Sequence, residues 1–411
     1  MSKTLHRIAW VIAVAGFAVG LPGLYQRLTL GHQGTNYGSY VPWGLWVAAY
    51  IYFIGLSAGA FLLSTLVYVF QVKRLEKIGK LALFTALVTL VAAMFSIWLD
   101  LGHPLRAWRL LLRTNFSSVM GWMIWFYSAY FVLLVLELWF ALRPDLAACS
   151  DEPGLKGALC RFLTFGRSDR SEPALQRDRT ILRVLGTIGV PLAVAFHGGV
   201  GALFGVVGAR PYWHGGLTPI MFLVGALVSG GALLTFVTAI WGPDRGSDEH
   251  RRLVIFLGQI VLGLLAFDLL LEWAEYSIGL YSAAPAEAAS LRLVLFGRYW
   301  WVFWGIHLGL GALIPLLLLV FQGRTPAAVA TASALIAISF LSVRLNIVIP
   351  GLAVEELKGL SAAFSGPGLT FAYFPSPMEW LFFVWTVSLA GLLFLIGYSL
   401  LPIVRPTEVA S

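Results

Sequence analysis

Ten stretches of this 411-residue chain are each long and apolar enough to cross a bilayer, which fixes the fold class. A spanning helix needs about 20 apolar residues, at 1.5 Å each, to cross a hydrocarbon core about 30 Å thick. Spans are predicted near 8–24, 43–70, 81–99, 119–142, 181–207, 217–241, 253–280, 299–321, 328–349 and 379–402. Inside lipid every backbone N–H and C=O must be satisfied within the protein, so the expected fold is an all-α integral membrane protein with ten transmembrane helices. Only 12% of residues are charged, against about 25% in soluble domains. That leaves no polar face on which a soluble protein of this length could meet water. Segment 8–24 has no small-residue cleavage site behind it and 43–70 is too long for a signal-peptide core, so no processing is expected.

Orientation follows from the loops. With a cytoplasmic N-terminus, nineteen Lys and Arg fall in inside segments and eight in outside ones, and Arg344, within a span, completes the 28. The excess places both termini in the cytoplasm. It also accounts for the net charge of +8 without nucleic acid. The longest inside segment, 143–183, is polar and carries Pro144, Pro153 and Pro173; it reads as a cytoplasmic loop with too little apolar content for a core. Both cysteines, Cys149 and Cys160, lie in it, on a reducing side where disulfides are rare. Two cysteines cannot supply the four thiolates of an iron–sulfur cluster. No Cys-x-x-Cys-His for covalent haem and no Gly-rich phosphate loop is present, so no metal is assigned and ATP-driven transport within this chain is not expected. On the outside, 25–42, 100–118, 281–298 and 350–378 are longer than tight bundle connections, as expected for a docking surface or lid, or for plain solvated loops.

Ionisable residues within the spans are the candidates for chemistry, because a charge in hydrocarbon is costly. Asp268, Glu272 and Glu275 are spaced i, i+4, i+7 and share one helical stripe in the outer half of the seventh span. His307 enters from the outside on the eighth, Arg344 and Asn346 lie near the outer end of the ninth, and Glu379 opens the tenth. His197 lies two thirds of the way out along the fifth. Arg344 is expected to neutralise Asp268 or Glu272, as buried charges generally pair. Asp100 and His103, three apart at the outer end of the third span, are expected to share a face, with the carboxylate orienting the imidazole. The inner halves are poorer in such groups, with Glu137 and Gln259 among scattered hydroxyls. Trp43, beside Pro42 and Gly44, suits the aromatic belt at the membrane surface. The asymmetry fits a proton-coupled site near the outer face, with a thinner polar path toward the cytoplasm.

Several motifs together carry a resemblance. They are Pro42-Trp43-Gly44 with the Gly55–Gly59 run, Asp100-Leu101-Gly102-His103-Pro104, and His197 followed by Gly201-Ala202-Leu203-Phe204-Gly205. Pro211-Tyr212-Trp213-His214 with Pro219, Arg344-Leu345-Asn346, and Tyr373-Phe374-Pro375-Ser376 with Glu379 complete the set. In their order and spacing the chain resembles the NrfD/PsrC family of polysulfide-reductase-like membrane subunits, in particular its ten-helix branch typified by HybB, DsrP and QrcD. The resemblance covers nearly the whole chain, which reads as a single membrane domain, 1–411. It implies two four-helix bundles, spans 2–5 and 6–9, with spans 1 and 10 flanking. It also implies a site for menaquinone or another quinone near the outer surface of a bacterial inner membrane. The chain itself would bind no haem and no iron–sulfur cluster. The partner implied is a ferredoxin-like iron–sulfur subunit on the periplasmic face, alongside a molybdopterin-type, hydrogenase or multihaem cytochrome subunit. The family's Asn and His, four apart before the Trp-Gly, fall here on Asn36 and Tyr40. Tyrosine replaces the histidine; it donates a hydrogen bond but carries protons poorly at neutral pH.

The expectation is therefore a quinone-binding subunit of an oxidoreductase, not catalytic alone. His103 and Asp100 act at the quinone headgroup with Asn36, Tyr40 and Trp43 around it, and Asp268, Glu272, Glu275, His307, His197 and Arg344 conduct protons. Two other classes remain open. A proton-coupled transporter would use the same acids, and should show inverted repeats with broken helices at mid-depth; a passive anchor would use none of them.

Overall fold

A computed structural model describes residues 3–281, 285–364 and 366–404. Ten helices in it have the length and apolarity to cross a membrane. They are α1 (Lys3–Leu30), α2 (Leu45–Tyr68), α3 (Gly79–Asp100), α4 (Val119–Cys149), α6 (Glu172–Gly205), α7 (Thr218–Trp241), α8 (Asp248–Tyr281), α10 (Val302–Gln322), α11 (Pro326–Leu352) and α12 (Pro377–Leu400). Among the shorter helices, which do not cross, are α5 (Leu155–Leu163) and α9 (Pro285–Leu295). Ten crossings return the chain to its starting face, called the terminus face below; the opposite one is the far face.

Helices α2, α3, α4 and α6 pack as one group of four, and α7, α8, α10 and α11 as a second. The two meet chiefly where α2 lies along α7. Lipid gives helices no hydrophobic reason to associate, so their backbones must come close enough for dispersion contacts to add up. Glycines permit this: a Cβ on Gly59 would fall 2.0 Å from the Ala226 carbonyl oxygen, and one on Gly230 would fall 2.6 Å from Gly59 Cα. Helix α1 packs on α12 outside the two groups, and α12 rests on α3. Gly20 makes that first contact, since a Cβ there would lie 2.6 Å from the Trp385 backbone.

The segment 143–183 is not a loop. Helix α4 runs on through Pro144 to Cys149, α5 follows, and α6 starts at Glu172. What replaces an apolar core there is a charge lock. Arg143 and Asp178, both buried, form an ion pair, and Arg143 also donates to the carbonyls of Arg167 and Asp169. The cysteines, expected to be unpaired, are instead joined as Cys149–Cys160 with Cα atoms 5.8 Å apart. The return of the chain along α5 brings the two positions together, a proximity that the linear spacing conceals.

Two outcomes test this packing. Gly59→Ala should lower the thermal midpoint in detergent by an amount corresponding to about 1–3 kcal/mol of overpacking, whereas Gly263→Ala, with nothing within 4 Å, should not. Asp178→Ala leaves a buried guanidinium unpaired and should cost about 3–5 kcal/mol, read as loss of the monodisperse peak on size exclusion.

Candidate functional site

Polar groups gather at two places near the far face. The first forms where the end of α1, the segment 31–44, the end of α3 and the start of α12 converge. Arg27 is buried; its Nε donates to the Leu99 carbonyl and its Nη2 to the Leu101 carbonyl at 2.6 Å, so a guanidinium closes the C-terminal end of α3. Cations suit that end, where unsatisfied carbonyls accumulate. Asp100 is hydrogen-bonded to Tyr37 and lies in the field of Arg27. Its Oδ1 is buried with no partner. The His32 ring bonds to the Asp100 backbone, and burial, then the Arg27 charge, hold this histidine below the usual imidazole range. Burial, with Asp100 adding to it, pushes the Tyr37 hydroxyl up.

Glu379 ties this cluster to the loop before α12. Its Oε2 accepts from Asn36 N at 3.0 Å and Ser376 N at 2.8 Å, while Ser376 Oγ accepts from Glu379 N, a reciprocal cap on the helix. The Tyr373 hydroxyl donates to Glu379 Oε1 and accepts from Leu45 N at 2.8 Å. Burial, then the Glu379 charge, pushes Tyr373 up. Glu379 is thereby saturated; it holds α2 and α12 in place.

The second cluster lies between α6, α7, α8, α10 and α11. Glu272 Oε1 meets His307 Nε2 at 3.1 Å, and Asp268, one turn along α8, lies in the field of both. Arg344, 1% exposed, lies over the rings of Phe222 and Phe340 at 4.7 and 5.2 Å. It is in the field of Asp268 first and Glu272 second. Yet no carboxylate lies within 4.0 Å of it among the described residues, and its Nε and Nη2 have no hydrogen-bond partner. The expected direct pairing is thus replaced: imidazole takes the carboxylate, and aromatic faces support the guanidinium. His197 is fully buried, beside the Phe222 backbone and in the field of Arg344. A Cβ on Gly55 would lie 3.6 Å from both His197 Cε1 and Arg344 Nη2.

His307 sits in an unusual backbone. Residues Val302–Leu313 wind as a π-helix, and Ile314 N donates to the Gly309 carbonyl, five residues back. Such winding is rare and concentrates at functional positions. The segment 210–214 fastens the neighbouring helix end. Tyr212 donates to the Asn346 carbonyl at 2.8 Å, Trp213 to Ile347 at 2.7 Å, and Arg210 to Val354 at 3.1 Å while pairing with Glu356 at 2.5 Å.

Between the clusters, α10, α11 and the loop before α12 enclose a groove of about 230 Å³. Its rim residue Ile338 is 72% exposed, so the groove opens to the bilayer. The wall is apolar, because its polar residues turn their hydroxyls into the protein: Tyr299 donates to the Tyr373 carbonyl at 3.1 Å and Ser342 to Ser339 at 2.6 Å. Asn346 also lines it, and its Nδ2 is without a partner.

The structure thus joins Asp268, Glu272, His307 and Arg344, with His197 alongside. Glu275 is only half-buried and faces Glu287 of α9. Asp100 and His103 are not on one face: α3 ends at Asp100, Leu101 is extended, and His103 is exposed ahead of a short turn at Pro104–Arg106. Pro104 forces the preceding residue out of helical geometry, so the i, i+3 relation never forms. Asn36 Nδ2 donates to the Phe374 carbonyl at 2.7 Å, and Tyr40 stacks on Phe371 at 4.5 Å; both fasten the loop before α12. Trp43, half-buried just before α2, stacks on Trp213 at 5.9 Å and meets Phe204 at 5.8 Å. Sequence reasoning missed Arg27, His32 and Tyr37 as partners of Asp100. Arg27 reads as a loop charge, and no periodicity marks the other two.

A family model described as polysulphide reductase, NrfD, matches residues 34–355. A selenate reductase subunit of Mesobacillus selenatarsenatis is 40% identical, the match covering 94% of this chain and 91% of that protein. The Hdr-like menaquinol oxidoreductase integral membrane subunit of Archaeoglobus fulgidus is 27% identical, over 98% and 94% of the two chains. The menaquinone reductase integral membrane subunit of Nitratidesulfovibrio vulgaris is 23% identical, over 98% and 92%. With most of its length matched by the family model and a relative this similar from end to end, the chain belongs to the NrfD polysulphide reductase family of membrane proteins.

Proposed function

We propose that this chain is the quinone-reactive membrane subunit of a respiratory oxidoreductase, exchanging electrons between a menaquinone-type quinone and an iron–sulfur partner docked on the far face. The observation that carries the reading is the pair of buried ionisable clusters, at Asp100 and at Glu272–His307, near a groove that opens to lipid toward that face. Relatives named as menaquinone reductase and menaquinol oxidoreductase subunits support it. The excess of Lys and Arg on the terminus face supports a cytoplasmic terminus face and a periplasmic far face.

A quinone brings two-electron, two-proton chemistry, and the residues here match its demands. The groove is smaller than the ~300–1,000 Å³ of pockets for drug-sized ligands, which suits a ring or a few isoprene units entering sideways from the bilayer. Asp100, with Oδ1 unpartnered, holds or releases a proton at the head of the site, while Tyr37 and Arg27 fix its carboxyl. His103, exposed on the far face, stands where a partner docks. Glu272 and His307 share a proton along one hydrogen bond, and Asp268, Arg344 and His197 extend that cluster toward the bundle centre; Glu275 leads outward. Protons drawn from the cytoplasm against electrons arriving from the periplasm make turnover electrogenic, each charge moving against about 2.3 kcal/mol per 100 mV.

A transporter without a redox partner would use the same acids, but they lie toward one face and the relatives are named as reductase subunits. The test is the purified complex in vesicles, assayed for quinone turnover and membrane potential together. Glu272→Gln and Asp100→Asn should each lower quinone turnover about 100-fold or more, the range lost with a positioned acid–base group. Unchanged turnover in both variants leaves only the passive anchor, and solute uptake by the chain alone defeats the redox reading.

A further inference from the structure

Of the buried acids, Asp178 is neutralised by Arg143, Glu379 is saturated by hydrogen bonds, and Asp268 and Glu272 belong to the site described above. Glu137 on α4 has no such explanation. It is 1% exposed, its Oε1 has no hydrogen-bond partner, and no cation pairs with it among the described residues. A carboxyl buried without partner costs free energy and calls for a role.

Its surroundings supply one. Glu137 lies in the half of α4 nearer the terminus face, opposite Gly186 of α6; a Cβ there would lie 4.0 Å from Glu137 Oε1. Toward the surface its charge is felt by Tyr68, which also feels Asp145 and Glu76 and is partly exposed. In the other direction it is felt by Tyr130, two turns away along α4. The Tyr130 hydroxyl reaches Ser57 Oγ at 3.3 Å, and its ring lies against Phe196 at 4.9 Å. The next residue in the chain is His197, beside Arg344, which faces Asp268 and Glu272. Tyr68, Glu137, Tyr130 and Ser57 thus lie between the terminus face and Phe196, beyond which stands His197, and Glu137 is the buried acid without an ion pair among the described residues of this half.

We propose that Glu137 is the proton-loading group of this path. It takes a proton from water at Tyr68, passes one toward Ser57 and His197, and returns to its carboxylate; no electron moves. The proposal rests on the proton-conducting reading above and adds the group that feeds it.

The test uses the whole complex in oriented vesicles turning over a soluble quinone analogue, with a pH dye in the compartment facing the termini. The readout is protons taken up per electron, not the rate. Glu137→Gln should lower this ratio at least five-fold, Glu137→Asp should keep part of it, and Tyr68→Phe, which removes only a hydroxyl, should lower it several-fold. A wild-type ratio in both Glu137→Gln and Tyr68→Phe overturns the assignment of Glu137 while leaving conduction intact. A wild-type complex that reduces or oxidises quinone with no uptake from this compartment overturns conduction itself, and with it this proposal.

Discussion

An imidazole held against a carboxylate where no water competes, His307 with Glu272, is the interaction around which this molecule is arranged. Removing two polar groups from water is costly unless each satisfies the other, so helices α8 and α10 must be fixed in register at this depth. Arg344 then makes the neighbourhood tolerable for Asp268 without closing a salt bridge of its own. Aromatic faces from Phe222 and Phe340 carry the guanidinium instead. An arginine so held keeps unbonded N–H groups directed into a sealed interior, beside the acids that the proposed chemistry uses.

The two clusters are mechanically linked. Asn36 reaches Phe374, Tyr373 reaches Glu379, and Tyr299 reaches the Tyr373 carbonyl, so the loop before α12 is tied to the segment before α2, to the start of α10 and to α12 at once. The groove lies against this loop. A ligand entering from the bilayer therefore presses on a segment that also positions Asp100 through Tyr37, since Tyr37 packs on Tyr373 with ring centroids 6.0 Å apart. Asn36 and Tyr40, expected at the quinone headgroup, contact this same segment.

Much of the fold is legible in the sequence because a bilayer imposes one dominant rule. Apolar runs of about 20 residues can do little except cross, and all ten crossings lie where hydropathy puts them. Depth is legible too: the stripe Asp268–Glu272 and the positions of His307 and Arg344 follow from helix direction and 1.5 Å per residue. Partners are not. Whether Arg344 meets a carboxylate or a ring depends on the rotation of α11 against α8 and α7, and apolar periodicity is weak in helices apolar on every side. The segment 143–183 departs from the expected loop for a related reason. Its helices are stabilised by Arg143, Asp178 and a buried cysteine pair, which composition counts as polar or neutral. Asp100 and His103 show the limit of spacing arguments, since an i, i+3 relation holds only while the helix lasts.

The winding of Val302–Leu313 has a consequence for how His307 is aimed. A π-helical stretch carries a residue more than an α-helix of the same number of turns, and returning it to α geometry rotates everything beyond by about 100°. The imidazole faces Glu272 only while the surplus residue is kept in place. One amino acid gained or lost anywhere in that stretch would leave the span as long and as greasy as before, yet swing the ring toward a different neighbour. Descendants of this sequence can thus exchange most lipid-facing side chains of α10 freely, but not its count.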